Sequence, residues 1–196
     1  MSRATSSIAS GAIPATAVAR LDECVSASGG ERRAPSRDDV PIVSVPRERL
    51  TNFLLELRDD PALRFRLLLD VCGVDHLGEE PRFEVVYHLY SFDLNARIRV
   101  KTRCPERDPR VPSVMPLFPT ANFHERETFD MYGIRFDGHP DLRRILMPDE
   151  YQYFPMRKDF PLEGIEPERV YLQLGGVMMP RPEGAEPLPG AGSATP

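Results

Sequence analysis

Between residues 46 and 60 the apolar positions Leu50, Phe53, Leu54 and Leu57 recur at the spacing of one helix face. A proline suits the first turn there, and Pro61 enforces a stop. The pattern then changes. FRLLLDVCGV, 65–74, is a short apolar run that reads as a buried strand, and FEVVYHLYSF, 83–92, is dense in β-branched and aromatic residues. In RIRVKTR, 97–103, Ile98, Val100 and Thr102 alternate with Arg97, Arg99, Lys101 and Arg103, so one face packs and the other is basic and wet. The short connection before Arg97 makes this last pair antiparallel. The pattern predicts an α+β fold: an N-terminal helix packed on a small, mainly antiparallel sheet, then a helix and a long irregular C-terminal wrap.

The second helix is expected over 123–132. Asn122 and Glu125 have the spacing of a capping box, and Gly133 can close the helix in the left-handed conformation. GHPDLRRILMPDEYQYFPMRKDFPLEG then has a proline or glycine every few residues, which predicts a wrap held by packing rather than by periodicity. ERVYLQL, 168–174, is a candidate late strand. Residues 1–38, rich in Ser, Ala, Gly, Arg and Pro, read as a flexible extension with a weak helix near 15–26. The expected organisation is that extension, a domain over 39–175, and a Pro/Gly-rich disordered tail over 176–196.

Composition narrows the function classes. A net charge of −5 over 196 residues argues against neutralising nucleic-acid phosphates. No apolar run approaches the roughly 18 residues of a membrane span, so a membrane link is expected through a partner or a surface. The N-terminus lacks the apolar core of a secretory signal. Cys24, Cys72 and Cys104 lack the close spacing of zinc or iron–sulfur ligands, and Cys72 reads as a buried reduced thiol. His76 and His88 read as hydrogen-bonded structural residues, and no phosphate-binding glycine motif is present. The basic face at 97–103 is open to three readings: plain solvation, acidic lipid, or an acidic partner.

The densest chemistry lies in HERETFDMYGIRFDGH, 124–139. At about 100° per residue, Arg126 and Asp130 sit close enough for an i,i+4 ion pair, whereas Glu125 and Asp130 share no face. No nucleophile is fixed nearby, and H-E without a second histidine four residues on is not a zinc motif. Catalytic, cofactor-binding and metal residues are therefore not assigned. Basic residues follow at Arg143, Arg144, Arg157 and Lys158, and a buried carboxylate must be paired or satisfied. Glu125 and Glu127 are expected to anchor those basic residues or the basic residues of a partner chain, as an interface network.

The run from Glu125 to Leu146 resembles the signature of the C subunit of bacterial NADH–quinone oxidoreductase, the 30-kDa subunit family of respiratory complex I. The likeness rests on Glu125, Arg126, Glu127, Asp130, Gly133, His139, Arg143, Ile145 and Leu146, with Arg157, Lys158 and Asp159 beyond, and covers about 40–165. It implies a cofactor-free peripheral-arm subunit, with FMN and iron–sulfur clusters on partner subunits. Its expected neighbours are the hydrogenase-like large subunit and the terminal-cluster subunit, with membrane association through the complex, on the cytoplasmic side of the inner membrane. A homologous subunit of a membrane-bound hydrogenase-type complex, or a stand-alone α+β ligand-binding protein, are the alternatives. Phe123 stands where the family usually has tryptophan, and Tyr153-Phe154 where it has Gly-His before the proline.

Overall fold

A computed structural model describes residues 13–35, 37–149, 151–162 and 164. The elements, in chain order, are α1 Ala15–Ala27, β1 Glu31–Arg33, β2 Ile42–Ser44, α2 Leu50–Asp59, β3 Leu67–Asp75, β4 Phe83–Ser91, β5 Ala96–Cys104, β6 Arg110–Pro112, α3 Ala121–Tyr132 and β7 Arg135–Asp137. Five strands form a mixed sheet in the order β1-β2-β5-β4-β3, and β6 pairs with β7 in a separate parallel ribbon. The fold is α+β, and the long hairpin pairs β3–β4 and β4–β5 are antiparallel, as the patterning predicts.

One sheet face builds the core. Phe83, Val85, Tyr87 and Leu89 of β4, Ile98, Val100 and Cys104 of β5, and Val43 of β2 join one apolar cluster. Leu50, Phe53, Leu54 and Leu57 of α2 enter the same cluster, which is the helical stripe read from spacing. α3 packs on β3, where Gly73 admits the Tyr132 ring: a Cβ at Gly73 would lie 2.5 Å from Tyr132 Cδ2.

The N-terminus departs from the expected flexible extension, because residues 15–33 are built into the fold. α1 buries Ala17, Leu21, Cys24 and Val25, a stripe narrow enough to be hidden by the Ser/Ala-rich composition around it. Arg20 of α1 also donates to Asp60 at 2.7 Å, just beyond α2. β1 and β2 are not legible in the patterning because three-residue strands carry no periodicity; β2 pairs parallel with β5 and β1 antiparallel with β2. The candidate strand at 168–174 and the tail over 176–196 lie outside the described residues.

The opposite sheet face differs from the wet basic surface expected of β5. Lys101 Nζ lies 2.6 Å from Glu84, Arg103 pairs with Glu79 at 2.9 Å, and Arg99 pairs with Asp38 at 2.7 Å. Glu84 is buried beneath these cations. Burial alone would raise its pKa, but the Lys101 contact outweighs that and lowers it. Three of the four cations of β5 are thus neutralised by the chain's own carboxylates, which removes the support for a lipid-binding face.

Candidate functional site

α3 closes as its sequence predicts. Gly133 adopts φ 75°, and its N–H donates to Phe129 O at 2.8 Å. Gly133 has a second constraint, because a Cβ there would lie 2.6 Å from Arg157 Nη2 and 2.7 Å from the Phe154 ring. The opening of α3 is different. Asn122 makes no capping box with Glu125; the helix begins at Ala121, and Glu125 is turned into the protein.

Asp130 organises the wrap. The carboxylate is fully buried, and its Oδ2 accepts from the backbone N–H groups of Ile145, Leu146 and Met147 at 3.0, 2.7 and 2.8 Å. Arg144 Nη1 donates to Oδ1 at 2.6 Å. Three consecutive N–H groups aimed at one anion form a backbone nest. Burial alone would raise the Asp130 pKa; these donors outweigh it and hold the carboxyl below its usual value. The i,i+4 pair with Arg126 does not form. Arg126 instead donates to the carbonyls of Arg143 and Arg144 at 3.2 and 3.1 Å, so α3 holds the wrap by a carboxylate at one point and a guanidinium at the next. Arg144 continues the network to Tyr153 O at 3.2 Å and lies over the rings of Tyr151 and Phe154.

The R-K-D segment docks at a second point. Arg82, immediately before β4 and almost wholly buried, forms a fork on Asp75 with both contacts at 2.8 Å. Asp159 meets the same guanidinium at 2.9 Å, and the Lys158 backbone N–H donates to Asp75 Oδ2 at 2.8 Å. Lys158 therefore contributes its backbone here. Arg157 Nε donates to Tyr132 O at 2.6 Å while its guanidinium stacks on Phe83 and Phe154. Burial first, and then the nearby Arg82 charge, push the Arg157 pKa down. Asp75 and Arg82 escape sequence reading because they meet only across the β3–β4 hairpin.

Glu125 and Glu127 do not anchor the basic residues of the wrap. Glu125 is fully buried and accepts from Ser113 Oγ at 2.6 Å and the Val114 N–H at 2.7 Å. Burial pushes its pKa up to about 7, against the lowering pull of those two bonds. Ser113, in PSVMP, carries no sequence signal of this role. Glu127 is exposed and has no hydrogen bond or ion pair among the described residues. His139 accepts from the Asp141 N–H at Nδ1, 3.1 Å, and its Nε2 lies 3.3 Å from Asn122 O, which places the proton on Nε2. Arg143 is exposed and pairs locally with Asp141 at 2.9 Å.

The backbone of the wrap is fastened down, yet several large apolar side chains on it face outward. Phe123 on α3 and Leu146, Tyr153 and Met156 on the wrap are all exposed. The wrap thus sets a fixed backbone under a set of exposed apolar and aromatic groups. Residues 43–166 match the family described as the respiratory-chain NADH dehydrogenase 30 Kd subunit, more than half of the chain's 196 residues. The chain belongs to that family.

Among its relatives is the C subunit of NADH-quinone oxidoreductase from Roseiflexus sp. (strain RS-1), 55% identical over 66% of this chain and 74% of the relative. The C 2 subunit of the same enzyme from Rhizobium etli (strain CIAT 652) is 54% identical over 64% of this chain and 66% of the relative, so the chain spans about two thirds of that relative's length. Two solved structures share the fold. The trypsin-resistant fragment (1–134) of Nqo5 matches with a TM-score of 0.56 and 35% identity, covering 64% of this chain and 99% of the fragment. A chain of the membrane-bound sulfane sulfur reductase, an archaeal respiratory membrane complex, matches with a TM-score of 0.63 and 25% identity, covering 82% of this chain and 92% of that one. These relatives are thus subunits of multi-subunit complexes.

Proposed function

We propose that the chain is a peripheral-arm subunit of a proton-translocating NADH–quinone oxidoreductase, holding the quinone-reducing module together without a redox group of its own. Electrons pass from NADH through FMN and iron–sulfur centres on other subunits to quinone. The surface around α3 and the wrap meets the hydrogenase-like large subunit and the terminal-cluster subunit. Those partners hold it at the cytoplasmic face of the inner membrane; among the described residues no helix is long and apolar enough to cross a membrane. One observation carries the reading: the wrap's backbone is pinned by Asp130, Arg126 and Arg82 while Phe123, Leu146, Tyr153, Met156 and Glu127 face outward.

The chain, tagged and purified from native membranes, should bring with it cluster-containing and membrane subunits. Glu127→Gln should lower assembly or quinone-coupled turnover and leave flavin-site reduction of an artificial acceptor unchanged in the intact complex. Purification of the native chain without partners would overturn the proposal, as would selective loss of the flavin reaction. A second reading, a subunit of a hydrogenase-type membrane complex, draws on the likeness to the sulfane sulfur reductase. Identities of 54% and 55% to the quinone-linked relatives favour the first, and the co-purifying chains distinguish the two.

A further inference from the structure

The sheet face turned away from the core carries a cluster with no part in the docking surface. Asp70 and Cys72 of β3 and His88 of β4 each offer one ligand atom, an oxygen, a sulfur and a ring nitrogen, all within 4.8 Å of one another. Strand geometry explains the convergence. Residues two apart on a strand share a face, and His88 lies directly opposite Asp70 in the ladder.

A β-bulge makes this possible. At Leu67 and Leu68 the register with β4 would set Leu69 opposite His88 and Asp70 opposite Tyr87, a core residue. The bulge between Leu68 and Asp70 inserts one extra residue, after which Asp70 pairs with His88. Without that insertion Asp70 and Cys72 would point into the apolar core. The bulge therefore aims three metal-ligating side chains at one point. His88 has no hydrogen bond among the described residues, against the expectation of a satisfied structural histidine, and Cys72 is only half-buried, with a long contact of 3.9 Å to Val86 O.

We propose that Asp70, Cys72 and His88 form a zinc site. A thiolate, a carboxylate and a neutral imidazole together carry two negative charges, which a dication neutralises. Thiolate and imidazole in one set favour zinc over magnesium or calcium, and three protein ligands leave a fourth tetrahedral position for water. Of the cations that face the cluster, Arg99 is compensated by Asp38 at 2.7 Å and Lys101 by Glu84 at 2.6 Å, while Arg97, which also acts on His88, has no ion pair among the described residues. His124 Nδ1 of α3 lies 3.3 Å from Asp70 Oδ1, so it orients the carboxylate as an outer partner. The metal would tie the edge strand to its neighbour at the bulge and couple both to the start of α3. The set is invisible in the sequence because its members come from two strands, and the bulge that aligns them has no sequence signature.

The test uses the untagged full chain, with zinc alone and then with cobalt(II). One zinc per chain should survive gel filtration in metal-free buffer, and the cobalt form should show a thiolate-to-cobalt charge-transfer band. Cys72→Ser should abolish the band and His88→Asn should release the metal. Cys104→Ser, in the core, should change neither. His124→Gln should weaken binding by about 10–100-fold. Substoichiometric zinc, a cobalt complex without the thiolate band, or binding unchanged in Cys72→Ser and His88→Asn would overturn the site. Should Cys72→Ser fail to fold by circular dichroism, Asp70→Asn and His88→Asn carry the test, and zinc retained in both would equally sink it.

Discussion

Glu125 contributes a stability profile that runs opposite to that of the buried carboxylates Asp75, Glu84 and Asp130, whose partners lower their pKa values. It is fully buried with no cation paired to it among the described residues, and its pKa rises from 4.5 to about 7 because burial penalises the charged form more than Ser113 and Val114 stabilise it. Between those two values the folded state holds the proton and the unfolded state has lost it. The folded state then binds more protons, so this group's contribution to stability falls as pH rises through the window from 4.5 to about 7. At about 1.36 kcal/mol per pH unit, the interval amounts to about 3 kcal/mol of stability lost by pH 8 relative to a neutral side chain. Glu125→Gln supplies that neutral side chain: its amide oxygen can accept from the Val114 N–H and its NH₂ can donate to Ser113 Oγ. His88 acts in the other direction, because burial and then the Arg99 charge lower its pKa, so protonation below its usual 6.5 costs the folded state. The two effects separate in the difference between wild type and Glu125→Gln, measured by urea denaturation of the full chain from pH 4 to 8. Glu125→Gln should be level with wild type near pH 4 and progressively more stable above it. Difference curves that stay flat across the window would refute the argument.

Two further outcomes follow from the contacts. Asp130→Asn sets an amide NH₂ against either Arg144 or three backbone donors and leaves a nearly buried guanidinium without its anion, which should cost about 3–5 kcal/mol. The loss should be read as faster proteolysis and hydrogen exchange over 143–160, and unchanged protection there would contradict the nest. Gly73→Ala should cost about 1–3 kcal/mol through overpacking against the Tyr132 ring; a melting temperature equal to wild type would show that α3 does not press on β3 there.

Much of the scaffold is legible because it is locally coded. The stripe of α2, the alternation in β5 and the left-handed Gly133 each depend on periods or on a backbone freedom that a short window reveals. α1 is legible as a helix but not as core, since its buried stripe of Ala17, Leu21, Cys24 and Val25 is too weak to outweigh the flexible composition beside it. For the candidate site, sequence reading finds that charges in 124–139 and 143–159 serve each other but pairs them wrongly. Helical spacing puts Arg126 with Asp130; the structure gives Asp130 to Arg144 and three amides, because a buried carboxylate needs more donors than one surface neighbour supplies.

Local pattern was therefore enough for the α+β class, the antiparallel hairpins and the helix ending at Gly133, since each is written in stretches no longer than about one element and its turn, and the family was legible from motifs spread over most of the chain. Which carboxylate is paired, which is neutral and which is free came from the folded chain. Glu125, Glu127 and Asp130 are chemically near-equivalent in the sequence, yet one is buried against a hydroxyl, one faces solvent and one is buried in a nest. The physical reason is that desolvation and hydrogen-bond supply depend on segments far along the chain, and no local window contains them.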